Sequence, residues 1–123
     1  MKKLYVSDLD GTLLNQRGDI SATTAEKLNT CIEQGIAFTI NTARTPATTF
    51  PIMASVNLQI PFSMMNGVLV YDPGQQDYLE VHSLSRETAM VILGVIKLYG
   101  LQCFMYTMEH GTMYTYYDSV ESR

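Results

Sequence analysis

The sequence predicts an α/β fold: a parallel sheet with helices on both faces, followed by the start of an α+β module. Three observations predict it. Short apolar runs alternate with stretches of helical period across residues 4–65, in the order strand, helix, strand, helix, strand. Each candidate strand ends in a polar or glycine-bearing loop, as at Ser7-Asp8, Asn41-Thr42 and Asn66-Gly67. From Val68 onward the alternation gives way to hairpin, helix, hairpin, which marks a second module from about residue 80.

Each element has a local reason. Leu4-Tyr5-Val6 is a run of strand formers and reads as a buried strand ending at Ser7-Asp8. Gly11 to Ile20, with Asn15, Gly18 and Asp19, reads as a loop or tight hairpin. A helix is expected from Ser21–Thr23, with Thr23 and Glu26 at capping-box spacing. Ala25, Leu28 and Ile32 give its apolar stripe, and Gly35 is a natural residue just past its end. Ile36 to Ile40 is the next strand. Thr45-Pro46 starts a second helix, because proline in the first turn loses no useful donor. Pro51 predicts a break or an early end to that helix. Pro61 to Met65 is the third strand, and parallel pairing with the first two follows from the helical crossovers.

The second half reads differently. Val68–Asp72 and Tyr78–Val81 flank Pro73-Gly74 and predict a hairpin. Ser85 to Tyr99 predicts an apolar helix ended by Gly100, with Ala89, Leu93, Ile96 and Leu98 as buried candidates. Leu101–Thr107 and Thr112–Tyr117 predict a hairpin around Met108-Glu109-His110-Gly111. One helix and two strands make a small core, so this module is expected to be incomplete.

Composition excludes several classes. The chain has 123 residues, 46% hydrophobic and 16% charged, which is neither a disordered nor a membrane-spanning composition. The apolar part of the N-terminus stops at Asp8, too short for a signal peptide, and a cytoplasmic location is expected. A formal net charge of −4 and the lack of a run of like charges argue against nucleic acid as a partner, and apolar runs far short of the ~20 residues of a membrane span argue against a membrane. Cys31 and Cys103 have no metal-type spacing and are expected as buried thiols.

The chemistry is concentrated in Asp8-Leu9-Asp10-Gly11-Thr12-Leu13-Leu14. A carboxylate that attacks phosphorus must be ionised, held in line and near a cation. Asp8 falls at the C-terminal end of a parallel strand, where open α/β sheets place ligands. Asp10 lies two residues on, so one turn can return it to the same pocket as a proton donor and acceptor. Gly11 permits the unusual backbone angles of such a turn. Paired carboxylates also suit magnesium, a hard cation that prefers oxygen ligands. A bare Asp-x-Asp turn carries little information; the whole segment after an apolar strand carries much more.

This segment resembles the first motif of the haloacid dehalogenase superfamily of aspartate-nucleophile phosphatases. Phe38-Thr39-Ile40-Asn41-Thr42-Ala43-Arg44 is similar to its second motif, and Met65 to Asp72 is similar to the Asn-Gly segment of the Cof-type branch, subclass IIB. The resemblance implies an incomplete Rossmann-like core over residues 1–80 and the start of a C2-type α+β cap over 81–123. It implies that Asp8 is the nucleophile and a magnesium ligand. Asp10 would be the acid/base, binding the metal through its carbonyl. The N–H groups of Leu9 and Asp10 would face the phosphoryl oxygens, and Thr42 with the N–H of Ala43 would hold phosphate. The family usually has glycine where Ala43 stands, but the N–H survives. Arg44 either meets substrate or cap, or pairs with a carboxylate of its own core. Asn66-Gly67 is expected to shape the site near the substrate, or to serve as a plain turn.

The family's third motif, a lysine, and its fourth, an acidic cluster, normally follow the cap. Lys97 lies in the apolar helix and reads as a snorkelling side chain, and Asp118 and Glu121 lack the setting of a metal cluster. The expectation is therefore the nucleophile half of a magnesium-dependent phosphatase of small phosphorylated metabolites, such as a sugar phosphate or a phosphorylated cofactor, inactive alone. A phosphomutase would keep the same aspartates. The other alternative is a non-catalytic domain that acts by binding, with Tyr106, Tyr114, Tyr116 and Tyr117 as an aromatic surface, or that self-associates through open strand edges.

Overall fold

The computed structural model describes residues 3–117. Asp118 and Glu121 lie outside the described residues. Between His82 and Ser83 the chain divides into two compact units.

The first unit opens with β1 (Leu4–Ser7), the turn Leu9–Leu13, α1 (Ala22–Glu33), β2 (Ala37–Ile40), α2 (Pro46–Met53) and β3 (Phe62–Met64). β1 and β2 pair in parallel, with Leu4 opposite Ala37 and Ser7 opposite Ile40. A single parallel bridge, Asn41 to Ser63, joins the end of β2 to β3. β4 (Leu69–Asp72) and β5 (Asp77–Val81) then extend β3 as an antiparallel meander, with a bulge between Val70 and Tyr71. The mixed α/β class with parallel strands is thus as the sequence predicts. The core gathers Leu9, Ala25, Ile40, Met53, Val56, Leu58, Phe62, Met64 and Leu69. Phe50 and Phe62 both pack on Tyr71, with ring centroids 4.9 and 5.5 Å away.

Several expectations need correction. α1 is capped by Ser21, whose side chain accepts from the N–H of Thr24; Thr23 is inside the helix. α2 is not broken at Pro51; of the two alternatives the short helix holds, ending at Met53, two residues on. The carbonyl that proline deprives of a donor belongs to exposed Ala47, where water can serve it. β1 forms but is not buried: Leu4, Tyr5 and Val6 are 58%, 52% and 57% exposed. Among the described residues its only strand partner is β2, so its other edge is open. Cys31 and Cys103 are free but only half-buried.

The second unit holds α3 (Arg86–Leu98), β6 (Phe104–Glu109) and β7 (Thr112–Tyr117). Ser85 caps α3 by accepting from Thr88. Gly100 closes the helix at φ +62°, its N–H reaching Lys97 while that of Leu101 reaches Ile96. Ala89, Leu93 and Ile96 are half-buried, as the helical period requires, but Leu98 is 80% exposed. The β6–β7 turn is tighter than expected. His110 and Gly111 alone form it, both with positive φ, which suits the right-handed twist of a two-residue hairpin. Tyr106, Tyr114, Tyr116 and Tyr117 are all exposed.

Candidate active site

The C-terminal ends of β1 and β2 lie side by side, held beyond the ladder by the Asn41 N–H, which donates to the Ser7 carbonyl at 2.9 Å. The loops that leave these ends carry the chemistry. After β1 the chain enters a turn in which the Leu14 N–H donates to the Leu9 carbonyl at 2.9 Å. Leu9 is fully buried and anchors this turn. Asp10 is extended, at φ −71° and ψ 124°, and Gly11 takes φ +75°, a conformation that L side chains rarely adopt. Asp8 and Asp10 are therefore both left exposed on either side of a buried anchor.

The Asp8 side chain caps the turn. Its Oδ1 accepts from the Leu9 N–H at 2.7 Å, so one of the donors expected to face phosphate is held by the expected nucleophile. Asp10 meets Arg44 across the two loops. Arg44 Nε donates to Oδ2 and Nη2 donates to Oδ1, each at 2.7 Å, a bidentate pairing. Of the two roles the sequence leaves open for Arg44, this structure displays the one within its own core. Hydrogen bonding to Arg44 holds the Asp10 carboxyl below the usual carboxylate range and raises the guanidinium.

The second loop is built with care for its backbone. Thr42 is only 2% exposed. Its N–H donates to the Ser63 carbonyl at 3.1 Å, and its carbonyl accepts from the Asn66 N–H at 3.0 Å. Its hydroxyl oxygen accepts from the Arg44 N–H at 3.2 Å, which leaves the hydroxyl proton free to be donated. Ala43 is exposed at the tip. The Arg44 carbonyl in turn accepts from the Met65 N–H at 3.1 Å.

Met65, Asn66 and Gly67 all have positive φ, at 52°, 55° and 93°. That left-handed run turns two successive N–H groups toward the loop of Thr42 and Arg44. Met65 and Asn66 thus hold this loop through their main-chain N–H groups, Gly67 makes no bond to it, and Asn66 itself is exposed. Sequence reasoning did not single out Ser63, Met65 or Asn41. Their contributions are main-chain bonds, for which residue type carries no signal beyond their place at strand ends.

The structure therefore brings Asp10, Thr42, Arg44 and Asn66 into one bonded cluster beside Asp8 and Leu9. The Asp8 carboxylate and the Asp10 carbonyl are hard oxygen donors of the kind magnesium takes, alongside water and substrate oxygens. Among the described residues no group of three or more His, Cys, Asp or Glu side chains is placed to hold a metal. A groove of about 400 Å³ lies elsewhere, lined by Phe50, Met53, Val56, Leu58, Phe62 and Tyr71 among others, and includes none of these candidate residues. No helix among the described residues is long and apolar enough to cross a membrane.

Comparison with known proteins bears on the family and the fold. The profile of the haloacid dehalogenase-like hydrolases matches residues 5–123. The 5-amino-6-(5-phospho-D-ribitylamino)uracil phosphatase YwtE of Bacillus subtilis is 31% identical over 109 residues, covering 88% of this chain and 37% of that protein. A haloacid dehalogenase-like hydrolase from Bacteroides thetaiotaomicron superposes with a TM-score of 0.74 at 25% identity, over 86% of this chain and 41% of its own. Another from B. subtilis gives 0.73 at 23% identity, over 94% and 39%. The chain spans well under half the length of each relative.

Proposed function

Because this chain belongs to the haloacid dehalogenase-like hydrolases, we propose that it supplies the nucleophile half of a magnesium-dependent phosphatase. Its substrates are small phosphorylated metabolites of the sugar-phosphate or phosphorylated-cofactor kind. The phosphorylated ribitylaminouracil named for the Bacillus relative is one member of that class. The observation that carries this reading is the cluster at the ends of β1 and β2, in which Asp10, Arg44 and the buried Thr42 are hydrogen-bonded together, with Asp8 two residues from Asp10 in the same turn.

The residues divide the work as follows. Asp8 attacks phosphorus, and a P–O bond forms as the bond to the leaving oxygen breaks. Asp10 gives that oxygen a proton. Asp10 then takes a proton from water, which attacks the aspartyl phosphate, and phosphate leaves with Asp8 restored. The Thr42 hydroxyl and the N–H groups of Leu9, Asp10 and Ala43 hold the phosphoryl oxygens. The Asp8 carboxylate and the Asp10 carbonyl would hold magnesium, which would supply positive charge against the phosphoryl oxygens. Met65 and Asn66 fix the loop of Thr42 and Arg44 through their N–H groups, and Asn66-Gly67 shapes the site near the substrate.

On the same reading residues 1–80 are half of the catalytic core and 81–123 begin its cap. The protein works in the cytoplasm, without nucleic acid or membrane as a partner. A lysine and further acidic ligands, each worth orders of magnitude in rate, have no counterpart among the motifs of this sequence. The chain alone is therefore expected to accept one phosphoryl group slowly but not to turn over. The test is incubation with magnesium and acetyl phosphate, read by intact mass and peptide mapping. Expected is a single hydroxylamine-sensitive phosphoryl group on Asp8, absent in Asp8→Asn, with negligible hydrolysis of p-nitrophenyl phosphate. Labelling retained in Asp8→Asn would overturn the reading. Brisk multiple turnover by the 123-residue chain, lost in Asp8→Asn, would overturn the half-site.

A further inference from the structure

Some of the donors of the candidate site are already taken, and by the site's own carboxylates. The Leu9 N–H is held by Asp8 Oδ1 at 2.7 Å. Arg44 Nε and Nη2 are held by both oxygens of Asp10, each at 2.7 Å. We propose that the phosphate cradle is self-occupied: Asp8 and Asp10 sit on the donors a phosphate takes, and Arg44 passes from Asp10 to the phosphate when it binds. This rests on the reading of the site as a phosphate cradle and adds to it a binding role for Arg44.

Three features carry the inference. The first is chemical likeness. A guanidinium fork matches a carboxylate and a phosphate with the same two parallel N–H bonds, so the partners can be exchanged without a new geometry. A phosphate dianion brings more charge than the carboxylate it displaces. The second is exposure. The Asp10 side chain is 58% exposed and that of Arg44 27%, so the pair faces water and is weakly held for so short a contact.

The third feature is where motion is allowed. The Arg44 main chain is fixed at both ends, its N–H on Thr42 Oγ1 at 3.2 Å and its carbonyl on the Met65 N–H at 3.1 Å. The exchange therefore moves only the side chain, and the Thr42 hydroxyl stays where it is. Asp8 and Leu9 are neighbours in the same turn, so release of the Leu9 N–H needs only a side-chain rotation of Asp8. Both releases also leave the two aspartates unbound as the phosphate arrives, Asp8 free to face phosphorus and Asp10 free to face the leaving oxygen. The competing account is a fixed strut, in which Arg44 ties the two loops together and never leaves Asp10.

The test uses the full chain labelled with ¹⁵N and titrated with inorganic phosphate, as wild type, Asp10→Asn, Arg44→Gln and the double variant. In wild type the Arg44 Nε–H and Leu9 N–H signals should shift together with one dissociation constant. Asp10→Asn, which frees the guanidinium, should bind phosphate about tenfold more tightly, the scale of one charged hydrogen bond. That gain should vanish in the Arg44→Gln background. A gain that persists there would reflect only relief of repulsion and would overturn the proposal. An Arg44 signal that stays still while Leu9 and Thr42 shift would also overturn it, and would leave the phosphate cradle standing. No shift at any of the three, in chains whose spectra remain folded, would remove both. The wild-type titration decides between exchange and strut even if a variant fails to fold.

Discussion

Arg44 and Asp10 come from loops 34 residues apart in sequence, and their pairing sets how the site behaves as pH falls. The guanidinium holds the folded-state carboxyl of Asp10 below its ordinary value of 3.8. A depressed carboxyl contributes stability above its unfolded pKa and loses it as pH drops through its folded pKa. The Asp10 side chain is more than half exposed, so the contribution is small. Wild type should therefore lose part of its stability below the ordinary carboxylate range, and Asp10→Asn should lack that component. Urea midpoints at neutral pH and at about pH 3, near the model-peptide carboxylate range, would check this. The two proteins should converge at the lower pH, and a constant gap between them would show that the pair contributes nothing to folding.

Element ends are decided by single side chains and by glycines in left-handed conformation. α1 starts at Ser21 because its hydroxyl reaches the Thr24 N–H at 3.1 Å. It stops at Gly35, at φ +86°, where the Gly35 N–H reaches Ile32 and the Ile36 N–H reaches Cys31. The capping-box spacing of Thr23 and Glu26 is real in the sequence but starts two residues inside the helix. Ser21→Ala should cost about 1 kcal/mol of unfolding free energy, the usual worth of an N-cap. Thr23→Ala should stay within about 0.5 kcal/mol, as for exposed surface positions. The reverse order in urea denaturation would restore Thr23 as the cap. α2 shows the complementary case. Pro46 occupies its first turn and Pro51 its last, and the helix is short enough to accept both.

At the scale of the whole molecule the unusual feature is apolar surface. A parallel strand is normally covered on both faces, yet Leu4, Tyr5 and Val6 are each more than half exposed. Met90, Val91, Val95, Leu98 and Tyr99 are equally open in the second unit. The relatives are more than twice as long as this chain, which leaves ample sequence in them to cover such faces. For the 123-residue chain alone the expected consequence is self-association. Sedimentation velocity should show concentration-dependent assembly, and Val6→Lys should reduce it by placing a charge on the open strand. A monomer at all concentrations, or association indifferent to Val6→Lys, would rule out β1 as the contact.

Much of this was legible in the sequence because it depends on neighbours in the chain. Apolar runs, helical period and turn residues mark the helices and strands, and Gly35 and Gly100 mark helix ends through their freedom at positive φ. Asp8-Leu9-Asp10-Gly11 declared its chemistry because a nucleophile and a proton donor two residues apart need one turn and nothing else. What only the tertiary structure decided depends on partners far along the chain. The sequence could not choose between a substrate and a carboxylate for Arg44; the approach of the β1 and β2 loops put Asp10 within 2.7 Å of it. Nor could it foresee that Met65 and Asn66 would grip the loop of Thr42 and Arg44, since main-chain hydrogen bonds are indifferent to side-chain identity. And apolar letters alone made β1 a buried strand, whereas burial is a property of what packs against it, and among the described residues only β2 does so as a strand.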